Sequence, residues 1–411
     1  MMVDAPLRSG VFLAPYHADD ESPTLQIRRD LELATQLDLL GFEELWVGEH
    51  HSASFETIGS PEIFLAAAAE RTQRIRLGTG VVSLPYHHPF MVADRLIQLD
   101  HQTGGRVMLG VGPGQLPSDA HMLGIDISRQ REMMNESLAV LVPLLRGETV
   151  THRADWFELR DARIQLAGPQ RPPLEMAVAA AVSPSGPGAA GRHGMGMLSM
   201  AASSAAGFDL LPSHWALCEE KAKEHGQDVD RRNWRLVVPM HLAETREQAY
   251  ADMSHGLLKL VRYFEKLGGE EMRALQTVED AVEHWVSKGL SLLGRAVIGT
   301  PDDAVERIEA LQAQSGGFGT ILLLAHDCAS PERTRNSYDL FARYVMPNVR
   351  GANRLRHESL DWFSQNSEAI VGDLRRAIGQ TVETHEAERQ ERGRGVSWGD
   401  ARDLLVGNEE E

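Results

Sequence analysis

The stretch IRLGTGVVSLPYHHPFMVADRLIQLDHQTGGRVMLGV, residues 75–111, decides the fold. Residues 75–84 form a short apolar run and read as a strand. Residues 89–102 are longer and amphipathic, and read as a helix opened by Pro89. Residues 107–111 are apolar again. Strand, helix, strand is the repeating unit of a parallel α/β sheet. Toward the N-terminus the same alternation continues. Residues 10–14 and 45–47 read as strands. Residues 24–40 read as a helix with Leu25, Leu31, Leu33, Leu37 and Leu40 at helical spacing and Gly41 as its stop. Ser60-Pro61 opens another helix with a cap and a proline.

Toward the C-terminus, helices are predicted over 129–145, 184–193, about 207–226 and 331–346. Another is capped by Thr300-Pro301-Asp302-Asp303. Strands are predicted over 174–182, 196–200, 235–242 and 320–325. Eight strands, each followed by a helix, predict a (β/α)8 TIM barrel. An open doubly wound sheet is the competitor. It often carries a glycine signature after its first strand, where this chain has Ala14-Pro15-Tyr16-His17. The barrel is expected over 1–350, interrupted by a hairpin insertion at about 147–173 and a helical one at about 245–290. Residues 351–411 contain no lysine and end in Gly-Asn-Glu-Glu-Glu. They are expected to form a C-terminal extension of one or two surface helices with a frayed end.

Forty-one basic and 59 acidic residues give a net charge of −18, which repels phosphate backbones and argues against a nucleic-acid partner. The two cysteines, Cys218 and Cys328, fit no zinc spacing. The N-terminus lacks a basic region followed by an apolar stretch, and no apolar run is long enough for a bilayer. A cytoplasmic protein with no membrane contact is expected.

Functional groups of such a barrel lie at the C-terminal strand ends. There the chain places Gly48-Glu49-His50-His51, then Tyr86-His87-His88-Pro89, then Gly110-Val-Gly112-Pro-Gly114, and His326-Asp327. The histidines invite a metal reading. However, strand neighbours point to opposite faces, and the chain has neither a His-x-His pair nor His-Glu-x-x-His, so no metal is expected. Ser183-Pro-Ser185-Gly186-Pro-Gly188 joins a strand to a helix. It is either a phosphate cradle or an ordinary turn. Gly78-Thr79-Gly80 inside a strand implies either a flat ring stacked on the backbone or a barrel bulge.

Five segments, in order, resemble the bacterial-luciferase-like flavin monooxygenases. They are Trp46-Val-Gly-Glu49-His50-His51, Arg76-Leu-Gly-Thr79-Gly80-Val81 leading to His88-Pro89, and Gly105-Arg-Val-Met-Leu-Gly110-Val-Gly112. The last two are Ala177-Val-Ala179 with its Ser-Pro-Ser turn, and Gly299-Thr-Pro-Asp-Asp303. The resemblance spans residues 8–350 and implies a luciferase-type barrel. It implies reduced FMN or FAD supplied by a separate NAD(P)H-dependent reductase, and O2 as co-substrate reacting through a C4a-(hydro)peroxide. A small apolar substrate such as a limonene-type alkene is implied, and a homodimer. Relatives on this barrel also include deazaflavin-dependent hydride-transfer enzymes and non-catalytic flavin-binding proteins. The catalytic residues it implies are His50, which controls protonation, Glu49, which orients or polarises the site, and His88, which shapes the pocket. The flavin is expected against Thr79, Gly80 and Val81, with a cis peptide at Gly80-Val81. Its phosphate is expected at Ser183, Ser185 and Gly186. Luciferase has a phosphate-holding arginine in the turn where this chain has Pro113, and Arg131 is the expected replacement.

Overall fold

The computed structural model describes residues 6–14, 16–171, 173–393, 395 and 397. Eight strands are β1 (Arg8–Leu13), β2 (Glu44–Val47), β3 (Arg76–Ser83), β4 (Val107–Gly112), β5 (Glu175–Ala180), β6 (Gly196–Ser199), β7 (Trp234–Leu242) and β8 (Thr320–Leu324). All pair in parallel in the order β7-β8-β1-β2-β3-β4-β5-β6, and β6 pairs back to β7, closing a (β/α)8 ring. A three-residue strand, Val297–Gly299, adds to β7 outside the ring; it is too short to show any periodicity in sequence. Between β4 and β5 an antiparallel hairpin pairs Val150–Arg153 with Glu158–Ala162.

Strand alternation sorts the core into two layers. Val11, Leu13, Leu45 and Val47 point outward beneath the helices. Phe12, Trp46, Met108, Leu198, Val237 and Leu322 point inward and fill the barrel. The glycines of β3 follow from this filling. A Cβ on Gly78 would lie 2.5 Å from Cε3 of Trp46, so the flat ring against this backbone is the protein's own indole. The β3–β4 register also shifts between Thr79 and Val82, so a bulge is present as well.

Helix ends follow local chemistry. Gly41 closes the helix Pro23–Leu40 at φ +83°, a left-handed conformation that glycine adopts without strain. Asp303 accepts both the N–H and the hydroxyl of Thr300 at the start of Pro301–Ser315. Ser60 does not cap the helix Pro61–Ala69 as expected; its hydroxyl donates to Glu62 instead.

At the N-terminal face, strand starts meet in an ionic layer. Arg8, Glu44, Arg76, Glu175 and Thr320 open their strands, and Arg235 is the second residue of β7. Arg235 donates to both oxygens of Glu44 at 2.9 and 3.0 Å and to Glu175. Arg8 Nη1 at 3.1 Å, Trp46 Nε1 and Thr320 Oγ1 complete the shell of Glu44.

Residues 246–290 form helices over a separate apolar cluster that includes Leu257, Tyr263 and Trp285. Both cysteine thiols are buried and free. The chain divides after Arg350 into two compact units. In the second, Arg354–Arg392 is one continuous helix, and the acidic end lies outside the described residues. Among the described residues no helix is long and apolar enough to cross a membrane.

Candidate active site

A cavity of about 350 Å³ opens at the C-terminal face, lined from the ends of β1 to β6 and β8. Gly80 and Val81 form part of its wall, joined by a cis peptide bond as the resemblance implied. Thr79 does not reach it. Its side chain turns into the sheet, donates to the Gly110 carbonyl at 2.8 Å and accepts the Gly110 N–H.

Glu49 lines the cavity beside His50. It accepts the Ser83 N–H at 2.7 Å, and its other oxygen lies 2.5 Å from His87 Nε2 and 3.1 Å from His51 Nε2. Burial pushes this carboxyl up, but the histidines and the Ser83 amide overcome it and hold it below the usual range. The Glu49 hydrogen bond in turn raises His51.

His50 stands between two other carboxylates. Its Nδ1 is 3.1 Å from Asp119 Oδ2 and its Nε2 is 3.3 Å from Glu56 Oε2. Asp119, 1% exposed, comes from the short helix Pro117–Met122. Its second oxygen accepts the His51 N–H and the Ser52 hydroxyl. Glu56 lines the cavity, and burial pushes its carboxyl up to about 7 against the lowering charge of His50.

The expectation for His88 is corrected. It is exposed, precedes the helix Pro89–Thr103 without a side-chain capping bond, and sets its ring edge-on to Phe157 of the hairpin. Its neighbour His87 turns inward to Glu49. Ser183, Ser185, Gly186 and Arg131 all line the cavity, as does Pro113. Ser183 and Ser185 share a 2.9 Å hydrogen bond at the start of the helix Ser185–His193, which has no side-chain cap. A Cβ on Gly186 would fall 2.5 Å from the Ala179 carbonyl, so only glycine lets this helix start sit so close to β5.

Asp119 and Glu56 were missed from sequence, and His87 was read only as one of the histidines gathered at the strand ends, with no role of its own. Asp119 had a signal, an acidic residue in the first turn of a proline-opened segment beyond a strand end. Glu56 had none, because it sits in an irregular loop. Among the described residues no cluster of three His, Cys, Asp or Glu side chains could hold a metal ion.

Beside the β1 and β8 ends, His17 is clamped between Asp327 (Nδ1, 2.6 Å) and Asp30 (Nε2, 2.8 Å), with Arg29 also on Asp327. Burial lowers the imidazole, but the two carboxylates overcome it and raise it to about 9. A raised folded value means that this stabilisation is complete below about 6.5 and fades as pH rises through about 9. Urea midpoints should therefore fall across that window, by about 1–3 kcal/mol of stability. His17→Asn should flatten the fall; an unchanged slope would refute the assignment.

The family of luciferase-like monooxygenases matches residues 7–317. Limonene 1,2-monooxygenase of Rhodococcus erythropolis is 47% identical over 383 residues, covering 92% of this chain and 96% of that one. 4-Hydroxyprotoasukamycin monooxygenase of Streptomyces nodosus subsp. asukaensis is 44% identical over 364 residues, covering 88% and 97%. Among solved structures, the oxygenating constituent of 3,6-diketocamphane monooxygenase of Pseudomonas putida superposes with a TM-score of 0.65. It is a type II Baeyer–Villiger enzyme in complex with FMN, 25% identical, with 84% of this chain and 98% of that one covered. A closed parallel barrel, a cavity at its C-terminal face and relatives matching nearly end to end make this chain a member of the luciferase-like monooxygenase family.

Proposed function

We propose that this chain is the oxygenase component of a two-component system. It takes reduced FMN from a separate NAD(P)H-dependent flavin reductase and places one oxygen atom of O2 into a small apolar substrate of the limonene type. The observation that carries this reading is one cavity whose lining is of two kinds. Part of it suits a phosphate: Ser183, Ser185, an uncapped helix start and Arg131, which makes no ion pair among the described residues. The rest includes the apolar side chains of Phe12, Met134, Met200, Leu293 and Leu324. The residues fit a flavin. Helix amides left without a cap are anion donors, and Gly80, Gly112 and Gly114 add backbone without side chains to the lining. The single arginine suits one phosphate, and the diketocamphane enzyme holds FMN.

Bound reduced flavin supplies two electrons, so that one oxygen atom enters the substrate and the other leaves as water. Ser183, Ser185, Gly186 and Arg131 hold the phosphate, and Gly80 and Val81 back the ring. The apolar residues receive the hydrocarbon and exclude water. Glu49 positions the end of β3 through the Ser83 amide. His50 holds and moves the proton.

Chemically reduced FMN, limonene and 18O2 should give a product carrying one labelled oxygen. NAD(P)H alone should give none until a flavin reductase is added. Product formed without O2 would sink the reading in favour of deazaflavin hydride transfer, and binding of FAD but not FMN would overturn the flavin assignment. Arg131→Ala should weaken FMN binding roughly 10-fold, about 1.4 kcal/mol, the scale of one charge-assisted contact. Riboflavin, which lacks the phosphate, should bind the variant and the parent alike in fluorescence titrations. Equal losses for both ligands would show that Arg131 does not meet the phosphate.

A further inference from the structure

We propose that Glu56 is a further proton-handling residue of this cavity, sharing one mobile proton with Nε2 of His50 and feeding it to a basic oxygen bound there. The proposal rests on reading the cavity as the site of oxygen transfer.

Proton counting leads to it. Asp119 is saturated with donors: one oxygen takes the His51 amide and the Ser52 hydroxyl, the other faces His50 Nδ1. With one oxygen already accepting two hydrogens, the contact of the other with the ring assigns the imidazole hydrogen to Nδ1. The remaining nitrogen, Nε2, faces Glu56 at 3.3 Å. That contact is an ion-pair distance, no hydrogen bond reaches the Glu56 carboxyl among the described residues, and its side chain is 6% exposed. Two arrangements then have the same charge. Either Glu56 is a neutral acid facing a neutral imidazole, or it is a carboxylate facing an imidazolium. They differ only in which heavy atom holds one proton.

Burial favours the neutral acid and raises the Glu56 carboxyl to about 7. Other groups around it do not compete. Tyr16 and Tyr263 are both pushed up by burial and keep their phenolic protons near neutrality. Glu49, His51 and His87 are tied to one another. In delivery the O–H bond of Glu56 breaks as the Nε2–H bond forms, and Nε2 passes a proton to the acceptor. Glu56 is left as a carboxylate and His50 as neutral imidazole, and solvent at the cavity mouth restores the proton.

The loop that carries Glu56 is built to hold it. Tyr16 and Glu56 form an antiparallel bridge, and Phe55 stacks on Tyr263 at 4.4 Å. Ala53 and Ser54 take left-handed conformations at φ +65° and +77°, which non-glycine residues adopt only under constraint.

The first test needs no flavin. In the flavin-free protein, infrared spectra should show a carboxylic-acid band that titrates near neutral pH and is missing in Glu56→Gln. The 15N shifts of His50 should move with the same midpoint in the parent protein, whether or not the variant folds. With reduced FMN, Glu56→Gln should lose at least 10-fold in product formed per flavin oxidised, with FMN affinity within twofold of the parent. Glu56→Asp should recover part of the loss. The alkaline limb of the parent's pH profile should vanish in Glu56→Gln. Absence of a titrating Glu56 band, or parental product yield in Glu56→Gln, would overturn the proposal. Should the parent oxygenate nothing, the functional reading fails, while the infrared and 15N titrations still decide Glu56.

Discussion

His50→Ala will lower oxygenation by about 10²–10⁴-fold, the range expected when a positioned proton donor is removed, while leaving FMN binding nearly unchanged. His50 is the one histidine that faces the cavity between two acids, Asp119 on Nδ1 and Glu56 on Nε2. Alanine removes the only group that links them. Ser183, Ser185 and Arg131, proposed to meet the phosphate, come from other elements and should not notice. The expected signature is a collapse in product per flavin oxidised at constant flavin affinity. His88→Ala is the control. It lies outside the cavity against Phe157, and product yield should stay within about twofold of the parent, as for a surface change away from the site. A His50→Ala enzyme that keeps its yield, or a His88→Ala enzyme that loses it, would reverse the assignment of roles.

The contrast between these histidines also marks what sequence can reveal. The eight strands were legible because both faces of each are buried, so each reads as a short apolar run, Val11-Phe12-Leu13 or Leu45-Trp46-Val47; which residues face inward was not. That four histidines gather at two adjacent strand ends was legible too. Their directions were not. His50 faces the cavity, His51 and His87 converge on Glu49, and His88 turns outward, because strand geometry has given way to loop geometry by those positions. Thr79 was placed at the flavin because of its company in a glycine-rich strand, yet its side chain is consumed by Gly110. Arg131 was named from the resemblance, as a replacement for the arginine whose place Pro113 takes, and the structure puts it on the cavity wall. Glu56 could not be read at all. A bridge to Tyr16 and the stack of Phe55 on Tyr263 place it, and both tyrosines are remote in sequence.

Arg235→Ala will destabilise the barrel by about 3–5 kcal/mol, the cost of breaking a buried ion pair from one side. Arg235 and Glu44 are both fully buried. Burial alone would push the Glu44 carboxyl up; the charge and hydrogen bonds of Arg235, then Arg8, hold it at about 2. A depressed folded value gives stability that is present above the unfolded value of about 4.3 and is lost as pH falls toward about 2. The parent should therefore lose stability through that acid window. In Arg235→Ala the urea midpoint should drop at pH 7, and the acid loss should shrink because Glu44 no longer gains its partner. Adding Glu44→Gln to Arg235→Met should recover much of the stability, since an uncharged pair of similar volume needs no counter-ion. Recovery would show that the damage came from the stranded carboxylate. Failure to recover would mean that the guanidinium of Arg235 over the Trp46 ring, its Cζ 5.0 Å from the centroid, contributes more than the pairing with Glu44.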